Sequence, residues 1–389
     1  MLNKSGGKMK SNILILGGGF GGLEAATGLR ARLDKSYQIT LIDASDFFIM
    51  GSSKFDLMFG RRAVEDIKAH YSKLNSSGIQ FVHDAVTYID PENKIVKTKS
   101  TTFSFDYLVV ALGADLHPDA IPGFKEGGYS FYSYAEAQRL APVIEEFTAG
   151  TIIISIFTHP YKCPPAPYEA AFQLHNYFTA KGCRHDITIK TLAPSPIPLP
   201  IAKDASAALV ELLAQHDIEF HPKHKVTALL PDKKNAVIEG RDNMKYDLFL
   251  GIPVHRPPKA VRDSILSQNG WVSVDQNSLR TKFENVYAIG DVNKIPVGKF
   301  AVPKAGAFAE DAAKSVVADI LNKINRESNI VKFNAIGACY FEVGLGKVAK
   351  VDGNILEHSE PHLILSGPSE AYRADKIEFE TSRIKRWFG

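Results

Sequence analysis

The residues best suited to redox chemistry are three cysteines, and one of them has an unusual setting. Cys163 stands in the run Tyr161-Lys162-Cys163-Pro164-Pro165-Ala166-Pro167. A cation next door and a helix start just downstream would both favour the thiolate, the form that attacks and binds. The prolines would hold the sulfur in place. Cys339 lies in Gly337-Ala338-Cys339-Tyr340, far along the chain, so any pairing with Cys163 would have to be tertiary. Cys183 sits in a turn, Lys181-Gly182-Cys183-Arg184, with no helix start after it, and reads as a bystander. Residue type alone leaves the alternative of buried structural cysteines open for all three. Three cysteines in this length do not make a disulfide scaffold and fit a reducing, cytoplasmic compartment. No histidine–cysteine spacing resembles a zinc site, so no metal is expected.

A second chemical feature opens the chain. A short apolar run, Asn12 to Leu16, leads into Gly17-Gly18-Gly19-Phe20-Gly21-Gly22, then a helical stretch to Leu33, then a second strand, Gln38 to Ile42, closed by Asp43. This is the dinucleotide fingerprint with its full context. Gly17 allows the tight turn, Gly19 lets backbone approach a pyrophosphate, and Gly22 lets helix and strand pack closely. The helix N-terminus offers free N–H groups to phosphate, and Asp43 stands where a ribose acid should.

These motifs need a frame. A second α/β unit begins at the strand Thr151 to Ile156, continues in a helix over Ala166 to Tyr177, and reaches a strand at Asp186 to Leu192. Its strand-to-helix loop holds Cys163 and prolines where glycines would bind a nucleotide. Proline has no N–H to offer a phosphate, and Ala193-Pro194-Ser195 supplies no ribose acid. The sequence therefore speaks against a pyridine nucleotide as electron donor. The fold class is α/β, with two Rossmann-like dinucleotide-binding domains and a small C-terminal α+β domain. The expected limits are 9–115 and 246–330 for the first domain, 116–245 for the second, whose nucleotide site is degenerate, and 331–389 for the third.

Composition excludes several classes. Hydrophobic residues make up 45% and charged residues 23%, the balance of a globular protein with a sizeable core. A net charge of +3 with no basic stripe argues against nucleic acid. Met1 to Ser11 is polar and basic, so no signal peptide is read, and no apolar run is long enough to span a bilayer. His159, His175 and His255 are candidate proton carriers, and Glu169 is a candidate base beside Cys163.

Two later segments resemble signatures of the two-dinucleotide-binding-domain flavoproteins, the disulfide reductases and NADH dehydrogenases. They are Phe105 to Ala114, with Ala111 and Gly113 in its turn, and Val286-Tyr287-Ala288-Ile289-Gly290-Asp291. The resemblance implies FAD, with Asp291 on its ribityl chain. Pro303-Lys304 precede a helix expected over Ala305 to Leu321, Pro303 in its first turn, with its positive end and Lys304 toward the cofactor.

The cysteine run, extended to Tyr168-Glu169, is similar to that of the flavoprotein subunit of flavocytochrome c sulfide dehydrogenase, which belongs with the sulfide:quinone oxidoreductases. Asp247 to Arg256, Cys339-Tyr340 and Ser382 to Gly389 resemble segments of the same group. The resemblance implies a disulfide or polysulfide bridge between Cys163 and Cys339 against FAD, hydrogen sulfide as substrate and a quinone as acceptor. A type II NADH:quinone oxidoreductase, or a sulfide dehydrogenase serving a cytochrome c, are the alternatives. Met50 stands about where the flavocytochrome subunit has its flavin-tethering cysteine, so the FAD is expected to be non-covalent. Ala114 to Ser155 holds no third catalytic cysteine. Ile377, Ile384, Trp387 and Phe388 fall near one helical face ringed by Lys376, Arg383, Lys385 and Arg386. That face is expected to dock on the protein's own core, with peripheral contact at the inner face of the cell membrane as the alternative. A homodimer is a further open alternative.

Overall fold

A computed structural model of the chain describes residues 10–328, 331–357 and 361–389. The segment Met1 to Ser11 thus lies almost wholly outside the described residues, as do the expected domain limits at 9 and 330.

Ser11–Leu16, Tyr37–Asp43 and Gln80–His83 lie side by side and parallel, with Tyr107–Val110 on the other flank of the first strand and Val286–Ala288 beyond it. The apolar runs follow from this placement. Strands covered by structure on both faces read as continuous hydrophobic stretches rather than alternating ones, and Ile13 to Leu16 and Leu108 to Val110 are all buried. The last strand returns to this sheet only after the second unit has been built. That unit is a parallel sheet in the order Ile218–Pro222, Ile187–Ala193, Gly150–Ile156, Leu248–Ile252. The carboxyl ends of the two sheets therefore supply loops to one shared region.

The expected helix after Cys163 runs over Ala166–Lys181. The helix placed at Ala305 to Leu321 spans Gly306–Asn325, and Pro303 lies outside it, two residues before the extended cap Ala305. An antiparallel sheet of Ile336–Gly344, Lys347–Asn354 and His362–Ser369 is followed by the helix Ala371–Phe388.

The last helix docks on the protein. Trp387 and Phe388 are buried against the first domain's core, where the indole meets Phe20 and Phe48 edge-on and donates from Nε1 to Glu24 at 2.8 Å. Arg383 and Arg386 pair with the buried Glu310 at 2.7 and 2.6 Å. Ile384 packs partly against the same core, while Ile377 stays exposed. Among the described residues no helix is long and apolar enough to cross a membrane.

Candidate active site

One cavity of about 450 Å³ collects the chemistry-bearing residues from all three sheets. The glycine loop enters it with Gly17, Gly19 and Asp43, and the later turns with Ala111, Gly113, Gly290 and Asp291. Cys163, Glu169 and Cys339 line the same space, as do Lys304 and the first residues of the helix Gly306–Asn325. Gly22 does not line it but sits beneath the loop.

The loop is built as a cradle. Gly17 has φ +97°, a left-handed conformation in which a Cβ would stand 2.3 Å from the Ala111 carbonyl oxygen. A Cβ on Gly22 would stand 1.8 Å from the Gly17 carbonyl oxygen. At Gly19 a Cβ would meet nothing within 4 Å. The space above Gly19 is open, so the fold itself would accept a side chain there. Tyr71 braces the loop by donating its hydroxyl to the Gly18 carbonyl at 2.7 Å. Asp43 accepts from the backbone N–H groups of Gly18 at 2.6 Å and Ser45 at 2.8 Å. Burial pushes this carboxyl above the usual range against those hydrogen bonds, so further donors such as ribose hydroxyls would favour its charged form. Loop, acid and open space together fit a dinucleotide.

Cys163 is held by its backbone. Its N–H donates to the Lys304 carbonyl at 2.7 Å, its own carbonyl accepts from Ala166 N–H at 2.9 Å, and Tyr161 donates its hydroxyl to Pro164 at 3.1 Å. The residue adopts φ +53°, unusual for a side chain with a Cβ. Its sulfur is open to the cavity yet walled by protein. Burial pushes its thiol well above the ordinary value, and the nearby Cys339 and Glu169 add to the effect. Lys162 therefore does not prepare a thiolate as its sequence position suggests. Its ammonium donates to the Ala114 carbonyl at 3.2 Å, and the cation facing the sulfur is Lys54.

Cys339 lies on the strand Ile336–Gly344, opposite Val351, and is half-buried. Burial, then Glu169, push its thiol up to about 11. All three cysteines are free thiols. Cys183 packs beside the second domain's core and does not line the cavity.

Glu169 is buried, and every donor it meets reaches one oxygen. Lys376 Nζ at 2.8 Å, the Glu342 N–H at 3.0 Å and Gln173 Nε2 at 3.1 Å all donate to Oε1. Among the described residues no donor reaches Oε2. Burial raises this carboxyl's pKa, and Lys376 pulls it back down. Lys376 also binds Glu342, which pairs with Arg61, which in turn donates to Gln173, closing a ring. Sequence reading missed Lys54, Arg61 and Glu342 and placed Lys376 on the outer stripe. Lys376 meets Glu169 across 207 positions, a contact no local spacing announces.

Lys304 lines the cavity, but its ammonium turns to the carbonyls of Asp291 at 2.5 Å and Asn293 at 3.1 Å and lies over the Trp271 ring. It braces the loop carrying Asp291.

None of the three candidate histidines lines the cavity. His175 is held by Arg184, which donates to its Nδ1 at 2.9 Å. His255 is buried, its Nδ1 2.7 Å from the Pro253 carbonyl, and among the described residues its Nε2 has no partner. Burial, with Lys162 nearby, lowers its pKa from 6.5 to about 3. The folded protein thus resists a proton that the unfolded chain accepts. This contribution to stability is whole above pH 6.5 and is lost as pH falls toward 3, at up to about 1.4 kcal/mol per unit. A His255→Phe variant is expected to lose about 2 kcal/mol less than the native protein between pH 6.5 and 5. Thermal melts at the two pH values check this, and equal losses would remove His255 from the account.

Comparison with known proteins agrees with this architecture. The family model described as pyridine nucleotide-disulphide oxidoreductase matches residues 11–153 and 169–313. The mitochondrial sulfide:quinone oxidoreductase of Dictyostelium discoideum is 29% identical, over 98% of this chain and 88% of its own length. A type II NADH:quinone oxidoreductase of Staphylococcus aureus is 25% identical over 82% of this chain and 84% of its own length. The crystal structure of the Aquifex aeolicus sulfide:quinone oxidoreductase superposes with a TM-score of 0.87 at 22% identity, covering 97% of this chain and 91% of that one. The chain belongs to the pyridine nucleotide-disulphide oxidoreductase family and is a flavin-dependent oxidoreductase.

Proposed function

We propose that the protein oxidises sulfide to sulfane sulfur at a Cys163/Cys339 centre and delivers the electrons through non-covalent FAD to a quinone. One observation carries this reading: two cysteines distant in sequence line the cavity that also contains the dinucleotide loop. Gly17, Gly19 and the following helix N-terminus would hold the pyrophosphate, and Asp43 the ribose. Ala111, Gly113, Gly290 and Asp291 would hold the rest. Bound FAD supplies an acceptor for two electrons.

The protein's own residues would manage the sulfur. With Cys163 and Cys339 joined as a disulfide, hydrosulfide attacks one sulfur, the S–S bond breaks, and the other sulfur leaves as thiolate. Cys163 is the more exposed of the two sulfurs, so attack falls there, and Cys163 keeps the added sulfur as a persulfide. Glu169, its Oε1 anchored, would take the incoming proton on Oε2. The Cys339 thiolate then bonds the outer persulfide sulfur as two electrons pass to the acceptor, so the bridge is remade one sulfur longer and the sulfide sulfur stands at the sulfane level.

The proline-bearing loop and the missing ribose acid in the second domain weigh against NADH as donor. The acceptor follows the relatives' names, since a quinone is the stated partner of both groups matched. The discriminating experiment is anaerobic stopped-flow mixing, first with NADH and then with sulfide. Sulfide is expected to bleach the flavin while NADH leaves it oxidised. Rapid bleaching by NADH alone would move the protein to the NADH:quinone class.

A further inference from the structure

Among the described residues four lysines line the cavity: Lys54, Lys162, Lys304 and Lys376. Three have their ammonium groups engaged. Lys162 donates to Ala114, Lys304 to the Asp291 and Asn293 carbonyls, and Lys376 bridges Glu169 and Glu342. Lys54, in the first turn of the short helix Ser53–Met58, has no hydrogen-bond acceptor and no carboxylate among the described residues. An enclosed ammonium without a counter-charge is costly, and the cost is relieved when an anion arrives. Lys54, Lys162 and Cys163 line one cavity, which limits where that anion can sit. Lys162 is close enough to oppose the charge on Lys54, and Cys163 is the group whose ionised sulfur would favour it. The relation is reciprocal, since Lys54 is the cation that eases ionisation of Cys163. Glu169, an acid lining the same cavity, is already held by Lys376 and cannot serve.

We propose that Lys54 is the anion subsite of the sulfur centre, docking hydrosulfide beside Cys163 and then holding the negative charge of the persulfide left on that residue. This rests on the sulfide-oxidising reading. It adds that the substrate is taken as the anion, and that a residue outside the cysteine and glutamate set provides the affinity. A small sulfur anion suits a cavity that both the ammonium-bearing Lys54 and the Cys163 sulfur line.

The test uses the purified holoprotein with Lys54→Met, Lys54→Gln and Lys54→Arg, the second neutral variant guarding against misfolding of the first. In anaerobic rapid mixing with sodium sulfide, both neutral variants are expected to weaken the apparent sulfide Kd by about 10- to 100-fold, the range for losing a charge-assisted partner. The limiting flavin-reduction rate should change less, and Lys54→Arg should restore most of the affinity. Burial sets the Lys54 amine at about 8. Native affinity should therefore fall above that pH, and this alkaline limb should vanish in the neutral variants.

A second readout does not depend on turnover. In phosphine-reduced protein carrying Cys183→Ser and Cys339→Ser, iodoacetamide should alkylate Cys163 several-fold more slowly when Lys54 is neutral. If sulfide fails to reduce the native flavin, the functional reading falls and alkylation alone decides the fate of Lys54. Equal alkylation rates overturn the assignment. So does an unchanged sulfide Kd in protein that sulfide reduces, including the case where only FAD retention suffers.

Discussion

Cys163→Ala is expected to abolish reduction of the flavin by sulfide, lowering its rate by about a thousandfold or more, while FAD content stays near native. The variant isolates the sulfur, because the bonds that shape the loop are made by the backbone: Cys163 N–H to Lys304 and Cys163 carbonyl to Ala166. Alanine tolerates φ +53° about as well as cysteine does, so the loop should persist. Cys339→Ala should fail to a similar degree, since neither sulfur alone can form the bond that hydrosulfide breaks. Groups that act as a unit are strongly non-additive. The double variant should accordingly be no worse than either single one. Cys183→Ala should leave the rate untouched, because that sulfur packs beside the second core and lies off the cavity. The pattern of three is read by anaerobic stopped-flow absorbance with sulfide. Sustained bleaching in Cys163→Ala would mean that the thiols are not the entry point for electrons.

The parts of the site that could be read in the sequence are those in which one short segment does a complete job. The glycine loop, the following helix and Asp43 form one strand–turn–helix–strand unit, so their spacing alone announces them. The proline loop around Cys163 was legible as a replaced nucleotide loop for the same reason. The error at Lys162 has a simple cause. Lys162 lies in a bridge paired with Lys304, and its ammonium is taken by the Ala114 carbonyl, a tertiary contact that adjacency to Cys163 in the chain does not announce. Pro303 was misplaced because proline suits both a helix's first turn and the extended segment before its cap, and only tertiary pairing at Lys304 decides between them. The charge ring that fixes Glu169 draws on Gln173, one turn along its own helix, and on Arg61, Glu342 and Lys376 from a loop, a strand and the last helix. Helical spacing signals the first of these, and no periodicity signals the other three.

The glycine loop also yields a contrast in which two similar substitutions should fail differently. Gly19→Val should fold and melt like the native apoprotein yet retain less than about a tenth of the FAD. The backbone at Gly19 is extended, with φ −78° and ψ −169°, a conformation valine accepts, and its Cβ would meet no protein atom. The change in apoprotein stability should stay within about 0.5 kcal/mol, as for substitutions that touch nothing. The side chain would instead fill the space through which backbone approaches a pyrophosphate. Gly22→Ala fails from beneath. Its Cβ would press to 1.8 Å of the Gly17 carbonyl oxygen, and Gly17 cannot retreat because it is itself packed against Ala111. Overpacking of this kind costs about 1–3 kcal/mol and moves backbone, so that variant should lose apoprotein stability and FAD together. Flavin-to-protein absorbance and thermal melts of the apoproteins separate the two. Full flavin content in Gly19→Val would show that no cofactor approaches this loop, and the assignment of the cavity to a dinucleotide would fall with it.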